Sequence, residues 1–225
     1  MNLQKTVNQN PIFAVLPEST RQAVIRNAGR CKYRRGEIIV CTGDVWPYLF
    51  LVLSGRIDAW KESGEGRGLV VTGFHPGEIF WGLALFDDGA QTPATLKAHT
   101  DAEILLWPRE YIVPYIKENG LMAWELSRQM VSKMARASEM LEEIAFQPVA
   151  GRLAKLLLDT TPRDASGPTT RSLTLDEMAA RIGSTREVVC RFLHRFSDEG
   201  IVDITRTEFQ ITDPQRLAGL AENSK

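Results

Sequence analysis

Residues 173–196, LTLDEMAARIGSTREVVCRFLHRF, leave room for little except two short helices folded about a glycine turn. Thr174 stands three residues before Glu177, so its hydroxyl can accept from the Glu177 amide while the carboxylate accepts from the Thr174 amide. Leu175, Met178, Ala179 and Ile182 then recur at helical spacing on one inner face. Gly183 ends this helix where a left-handed backbone would strain a β-carbon. Ser184 or Thr185 caps the next helix, in which Val189, Phe192, Leu193 and Phe196 form an apolar stripe. The opposite face carries Arg186, Glu187, Cys190, Arg191 and His194. A tight turn with a polar fork on the second helix matches the geometry that sets a recognition helix in a DNA major groove. A helical hairpin with a solvated charged face is the plainer alternative, and the agreement of cap, turn and fork argues against it.

A wing follows. Asp198, Glu199 and Gly200 close the second helix. Residues 201–204 and 209–212 alternate like two short strands, and the connection between them carries Arg206, placed for a phosphate. The candidate DNA-contacting residues are thus Thr174, Ser184, Thr185, Arg186, Glu187, Cys190, Arg191, His194 and Arg206. Arginine can fork onto O6 and N7 of guanine, a carboxylate can accept from the cytosine amine, and Cys190 can touch a thymine methyl or act as filler.

Charge gives no help to such binding at long range. The 27 basic and 28 acidic side chains leave a net charge of −1, so affinity for DNA must come from local clustering of Arg181, Arg186, Arg191 and Arg195. No apolar run reaches the roughly 18 residues of a membrane span. The first residues, MNLQKTVNQNPIF, lack the basic-then-apolar pattern of a signal peptide. The 3 cysteines, Cys31, Cys41 and Cys190, have neither a disulfide framework nor zinc-ligand spacing. The expected setting is a reducing cytoplasm, with no membrane partner.

The chain reads as α+β, in three parts. Residues 1–119 form a β-roll domain that starts with a small helical segment at about 11–30 and continues as short strands separated by glycine turns. Residues 49–53 and 102–107 are its clearest strands, and the spacing suits a jelly-roll barrel. Residues 120–147 are a long helix and a Gln147-Pro148 hinge, and residues 148–225 are the winged helix-turn-helix domain. In the long helix Met130, Met134, Ala137, Leu141 and Ile144 are spaced four, three, four, three, the pattern of a coiled-coil seam. An amphipathic helix lying on its own core shares that periodicity. A seam just before a DNA-binding domain favours a homodimer, which would bring two recognition helices to a palindromic site.

A glycine-punctuated β-roll, a long helix and a C-terminal winged helix together resemble the Crp/Fnr superfamily of bacterial transcription regulators. Arg186-Glu187 followed by Arg191 is similar to the base-reading set of its catabolite-activator branch. Residues 49–55 and 82–86 resemble its β-roll core, and Ile144-Ala145-Phe146 followed by Gly151-Arg152-Leu153 resembles its passage into the DNA-binding domain. The resemblance implies a dimeric regulator of double-stranded DNA, an inverted repeat of TGTGA-like half-sites, RNA polymerase as protein partner, and allosteric control from the β-roll.

It also implies an effector site, and there the pattern breaks. Cyclic-nucleotide members carry a glutamate for the ribose and an Arg-Ser pair for the cyclic phosphate. Here Gly82 stands at the glutamate position, Thr92-Pro93 at the Arg-Ser position, and Ala137-Ser138 where the long helix would meet adenine. A buried cyclic phosphate needs a fixed cation, which threonine cannot supply. Cyclic AMP and cyclic GMP are therefore not expected, although a cyclic-nucleotide regulator with a non-standard pocket is the alternative. An iron–sulfur cluster needs four cysteines. Haem needs an axial ligand, for which His75, beside the Pro76-Gly77 turn, is the candidate, with His99 and His194 the other histidines. An unidentified small molecule walled by Phe80 and Trp81 is the other input, unless both aromatics are ordinary β-roll core.

An enzyme is the rival class. Jelly rolls also build metal enzymes, but these need histidines and a carboxylate clustered by the fold, and the 3 histidines here are scattered. No nucleophile motif or phosphate-binding glycine loop is present, and Asp87-Asp88 sits with Gly89 in a turn. A kinase-type regulatory module would share the β-roll and have no use for the winged helix.

Overall fold

The computed structural model describes residues 3–64, 67–161, 167–170, 173–205 and 208–222. It divides into two compact units, residues 1–61 with 71–135 and residues 62–70 with 136–225.

The first unit is organised around an apolar strand. Three helices, α1 (Leu3–Gln9), α2 (Pro11–Ala14) and α3 (Glu18–Arg26), precede β1 (Gly29–Tyr33), β2 (Ile38–Val40) and β3 (Tyr48–Ser54). Successive side chains of a strand face opposite ways. In β3 that sends Leu49, Leu51 and Leu53 into a core shared with the helices, and Phe50 and Val52 into a second core between two sheets. Both faces are covered, which is why the segment reads as an unbroken apolar run. The remaining strands are β4 (Ile57–Glu62), β5 (Gly68–Phe74), β6 (Ile79–Trp81), β7 (Thr95–Ala98) and β8 (Ala102–Pro108). They assemble as two four-stranded sheets in the orders β1-β8-β3-β6 and β2-β7-β4-β5. Trp107, fully buried, donates its indole N–H to the Val24 carbonyl at 2.8 Å and so ties β8 to α3. Helix α4 (Arg109–Glu118), which periodicity alone did not suggest, contributes Ile112 and Ile116 to the helix-side core.

The long helix is α5 (Gly120–Phe146). Its buried residues Met122 and Leu126, with Ala123 and Met130 half-buried beside them, pack on the first unit's core. The outward apolar residues are Leu121, Trp124, Val131, Met134, Leu141 and Phe146. The exposed stripe therefore differs from the expected seam. Met134 and Leu141 belong to it and Ala137 is exposed, but Met130 turns towards its own core and Ile144 is half-buried. A seven-residue repeat fits two neighbouring faces of one helix, and only burial distinguishes them.

The second unit contains α6 (Val149–Thr160), β9 (Thr169–Thr170), α7 (Leu175–Arg181), α8 (Arg186–Asp198), β10 (Val202–Ile204), β11 (Glu208–Ile211) and α9 (Pro214–Glu222). Leu153, Leu157, Met178, Val189, Leu193, Phe196, Phe209 and Leu217 meet in its core. The wing has a third strand, because β9 pairs antiparallel with β11. Helix α9 was also unforeseen, although Leu217, Leu220 and Ala221 carry its helical spacing.

One glycine of the first unit is explained by room alone. Gly82 has an ordinary φ of −71°, yet a β-carbon there would fall well inside van der Waals distance of the Trp46 carbonyl oxygen. Gly77 is the reverse case, with φ +88° and open space around it. Gly77→Ala should cost only the left-handed penalty of about 1–2 kcal/mol. Gly82→Ala must move main chain and should cost at least the roughly 1–3 kcal/mol of overpacking. Urea unfolding of the two variants checks the order; equal losses would show that Trp46 yields freely.

Candidate nucleic-acid interface

The helix-turn-helix is built as the residues dictate. Thr174 caps α7: its hydroxyl accepts from the Glu177 amide at 3.2 Å, and its own amide donates to the Glu177 carboxylate at 2.7 Å. Ile182 caps the other end, and Gly183 takes φ +60°, which lets the Ser184 amide reach back to the Ala179 carbonyl at 2.9 Å. Of the two candidate caps for α8, Thr185 is the one used, accepting from the Val188 amide at 3.4 Å. Val189, Leu193 and Phe196 are buried, and Phe192 lies half-buried against the same core.

The outward face follows from that anchoring. Glu187, Arg191 and His194 are exposed one helical turn apart, with Arg186 exposed and Cys190 half-buried beside them. Glu187 lies in the first turn, where a main-chain N–H and the Thr185 hydroxyl hold its carboxyl below the usual carboxylate range. It is an ionised acceptor. Arg186 donates from Nη1 to Asp176 at 3.0 Å, and Arg195 from Nε to Glu199 at 2.8 Å. Arg191 has its guanidinium 5.7 Å from the Phe192 ring and, among the described residues, no carboxylate partner. It is the recognition helix's most available fork. Thr174 is exposed and Ser184 half-buried at the two helix starts. In the wing, Thr205 and Glu208 close the turn through a 2.9 Å main-chain bond. Arg206 lies outside the described residues.

Arg152 is the residue that patterning did not single out. It is buried in α6, with Nε donating to the Ile182 carbonyl at 2.8 Å. Its Nη1 donates to the Glu143 and Ile144 carbonyls at 3.2 and 3.3 Å, and also to that of Gln147. Burial pulls its pKa down, opposed by the charge of Glu143. The available signal was an arginine on the inward face of α6, among Leu153, Ala154 and Leu157.

The residues expected around an effector differ in exposure. Thr92 is buried, and Pro93, Ala137 and Ser138 are exposed. Phe80 packs with the core between the sheets and Trp81 with the helix-side core. The two rings nonetheless stack, with centroids 6.2 Å apart. His75 is exposed on a turn, where its amide donates to the Glu78 carboxylate at 2.8 Å. His99 Nδ1 lies 3.6 Å from the buried Asp58, whose other oxygen takes Arg56 Nε at 2.7 Å. Among the described residues no three metal-ligating side chains come together, and no helix is long and apolar enough to cross a membrane.

A β-roll followed by a long helix and a winged helix-turn-helix defines a two-domain transcription regulator. Residues 30–119 match the family model of the cyclic nucleotide-binding domain, and residues 151–220 that of the Crp-like helix-turn-helix domain. The cyclic AMP receptor protein of Thermus thermophilus is 28% identical over 214 residues, covering 94% of this chain and 97% of that one. A CRP-like cAMP-activated global transcriptional regulator of Mycobacterium tuberculosis is 25% identical over 212 residues, covering 92% and 94%. Among solved structures, a CRP/FNR-family transcriptional regulator of T. thermophilus superposes with a TM-score of 0.73 at 26% identity, covering 88% of this chain and 100% of that one. A Crp/Fnr-family structure from Eubacterium rectale gives a TM-score of 0.80 at 24% identity, covering 95% and 98%, a likeness of fold. The chain belongs to the Crp/Fnr family of transcription regulators, with a helix-turn-helix DNA-binding domain, and is not an enzyme.

Arg152→Ala would leave the Ile144, Gln147 and Ile182 carbonyls at two helix ends without their donor, while that of Glu143 keeps the Gln147 amide. It should destabilise the second unit by about 2–4 kcal/mol, since hydrogen bonds to a charged group are worth roughly 1.5–3 kcal/mol each and solvent replaces some of them. Lysine keeps the charge without the fork and should restore only part of the loss. Denaturant unfolding followed by Trp-independent circular dichroism at 222 nm reads the difference.

Proposed function

We propose that the chain works as a homodimer that reads an inverted-repeat duplex site through α8, under a β-roll that does not take a cyclic nucleotide. The observation that carries this is the outward face of α8, where ionised Glu187 and the fork of Arg191, without a carboxylate partner among the described residues, stand one turn apart on a helix anchored by Val189, Leu193 and Phe196. Arg191 and Arg186 suit guanine, Glu187 suits cytosine, and each half-site should contain G·C pairs read in the major groove. Arg206 in the wing is assigned to a phosphate, and RNA polymerase is the protein partner the role implies. The working place is the cytoplasm.

Dimerisation is supported by the face of α5 that carries Trp124, Val131, Met134 and Leu141. These large apolar side chains are 64–72% exposed in the single chain, and they recur at heptad-compatible positions. Two parallel copies would cover them and set two recognition helices about one duplex turn, roughly 34 Å, apart.

The relatives named above as cAMP-activated share the fold. The residues here do not fit that ligand. Gly82 offers no carboxylate and has no room for one, Thr92 is buried without charge, and Pro93 has no main-chain donor.

Selection from random duplexes tests the reading. Arg191→Ala should cost about 1–3 kcal/mol on the selected site and little on unrelated DNA. Changing Arg206 should instead weaken all sequences alike and flatten the salt dependence by about one phosphate contact. Equal losses for Arg191→Ala on both kinds of DNA would show that α8 does not read bases. Assembly is tested separately: glutamate at both Met134 and Leu141 places like charges across the two-fold and should give a monomer by light scattering. A persistent dimer would move the interface off this face of α5.

A further inference from the structure

Gly82 and Trp46 share one space in the β-roll. The Gly82 main chain lies so close beneath the Trp46 carbonyl that no β-carbon fits between them. The Trp46 indole is buried, edge-on to Phe50 at 5.4 Å, tilted to Tyr48 at 5.7 Å and stacked with Phe80 at 6.5 Å. Phe80 lies 4.6 Å from Phe74, which meets Phe50 at 5.7 Å. The cluster is contiguous, and its outer rings are touched from α5. Lys133 places Nζ 4.8 Å from the Phe74 centroid and 5.9 Å from that of Trp81. Thr92 is held to the same segment as Trp46, its amide donating to the Asp44 carbonyl at 2.8 Å and its carbonyl accepting from the Gly43 amide at 2.9 Å. Both positions at which a cyclic-nucleotide site would place its acid and its cation are therefore bound up with the segment that delivers Trp46.

We propose that Trp46 is a built-in occupant of the β-roll: its indole fills the interior that a diffusible effector would fill, and holds in place the aromatic face on which Lys133 of α5 rests. The physical link is the attraction of an ammonium group to aromatic faces, which depends on where the rings stand. An indole that cannot leave keeps Phe74 and Phe80 packed, and so fixes the seat of Lys133 without any ligand. Cyclic-nucleotide occupancy then has no part in setting this seat. The proposal deepens the reading of the chain as a DNA-binding regulator without effector nucleotide and rests on it for one of its two readouts.

The experiment uses the full chain with Trp46→Ala, free indole as probe, and two readouts: affinity for the selected duplex, and amide hydrogen exchange over residues 120–146. In the variant the exchange of α5 should rise and DNA affinity should fall by about tenfold or more, within the usual range of coupling between sites. Millimolar indole should reverse both, and cyclic AMP should reverse neither. Lys133→Gln should reproduce the loss of DNA affinity, and Lys133→Arg, which keeps a cation over the rings, should retain it. A dimeric Trp46→Ala protein with parental exchange and parental DNA affinity would overturn the proposal. So would indole that restores exchange without restoring affinity, because Trp46 would then be filler. If Trp46→Ala does not fold, Lys133→Gln decides: parental DNA affinity overturns the coupling, and a loss rescued by Lys133→Arg supports it. If the unaltered protein selects no duplex, the DNA-binding reading fails, and the hydrogen-exchange response to indole alone decides the proposal.

Discussion

Arg152 lies where two helices end. The last carbonyls of an α-helix have no partner within it, and burying them unpaired costs free energy comparable to lost hydrogen bonds. Here α5 stops at Phe146 and α7 is capped by Ile182, and one guanidinium on α6 accepts the burden of both ends. The planar fork matters, because Nε and Nη1 diverge enough to serve carbonyls from separate elements. Within the second unit the approach of α7 to the end of α5 is thereby fixed, and α8 follows from α7 through the Gly183 turn. The reading face of α8 is thus placed by a residue that does not belong to it. Desolvation lowers the pKa of Arg152, as expected for a charge compensated by dipoles more than by a carboxylate.

Much of the fold was legible because local and long-range signals agreed. The capping box at Thr174, the turn at Gly183 and the apolar stripe of α8 each predicted the same two helices, and the bounds of α5 matched those read from its proline-free run. What was missed had a weak or misleading local signal. Strand β9 is two residues long, and its pairing with β11 is a tertiary fact. Helix α4 contains Pro114, which argues against a helix unless neighbouring packing outweighs the lost bond. On α5 the periodicity alone does not choose a face, since Met130 and Val131 both satisfy a seven-residue repeat and burial alone separates them.

The candidate site divides in the same way. Outward residues of α8 could be named in advance because helix geometry and an apolar stripe fix the opposite face. The β-roll interior could not, because adjacent residues such as Phe80 and Trp81 separate into different cores once the strand is paired. That Gly82 and Thr92 lack the chemistry for a cyclic phosphate was visible in the residue types. That Trp46 takes up the space beside Gly82 was not, since 36 positions separate them and only the sheet brings them together. A shared fold carries over the scaffold, and the occupant is decided by individual side chains.

The charge arrangement on the reading helix bears on how a nearly neutral chain can discriminate among duplexes. Two of its arginines are already engaged by acids of the same domain, Arg186 by Asp176 and Arg195 by Glu199. Exposed pairs of this kind are worth about 0–1 kcal/mol each. A bidentate contact to the correct base, worth roughly 1–3 kcal/mol, displaces such a partner with free energy to spare. A lone phosphate on unrelated DNA gains little by the same exchange in physiological salt, where charges are screened beyond about 8 Å. On the proposed reading the internal acids would lower non-specific affinity more than specific affinity, as competitors that only the right base outbids. On the proposed reading Arg191, with no such competitor among the described residues, would supply contact at first encounter, and the paired arginines would add their share only where the sequence rewards it.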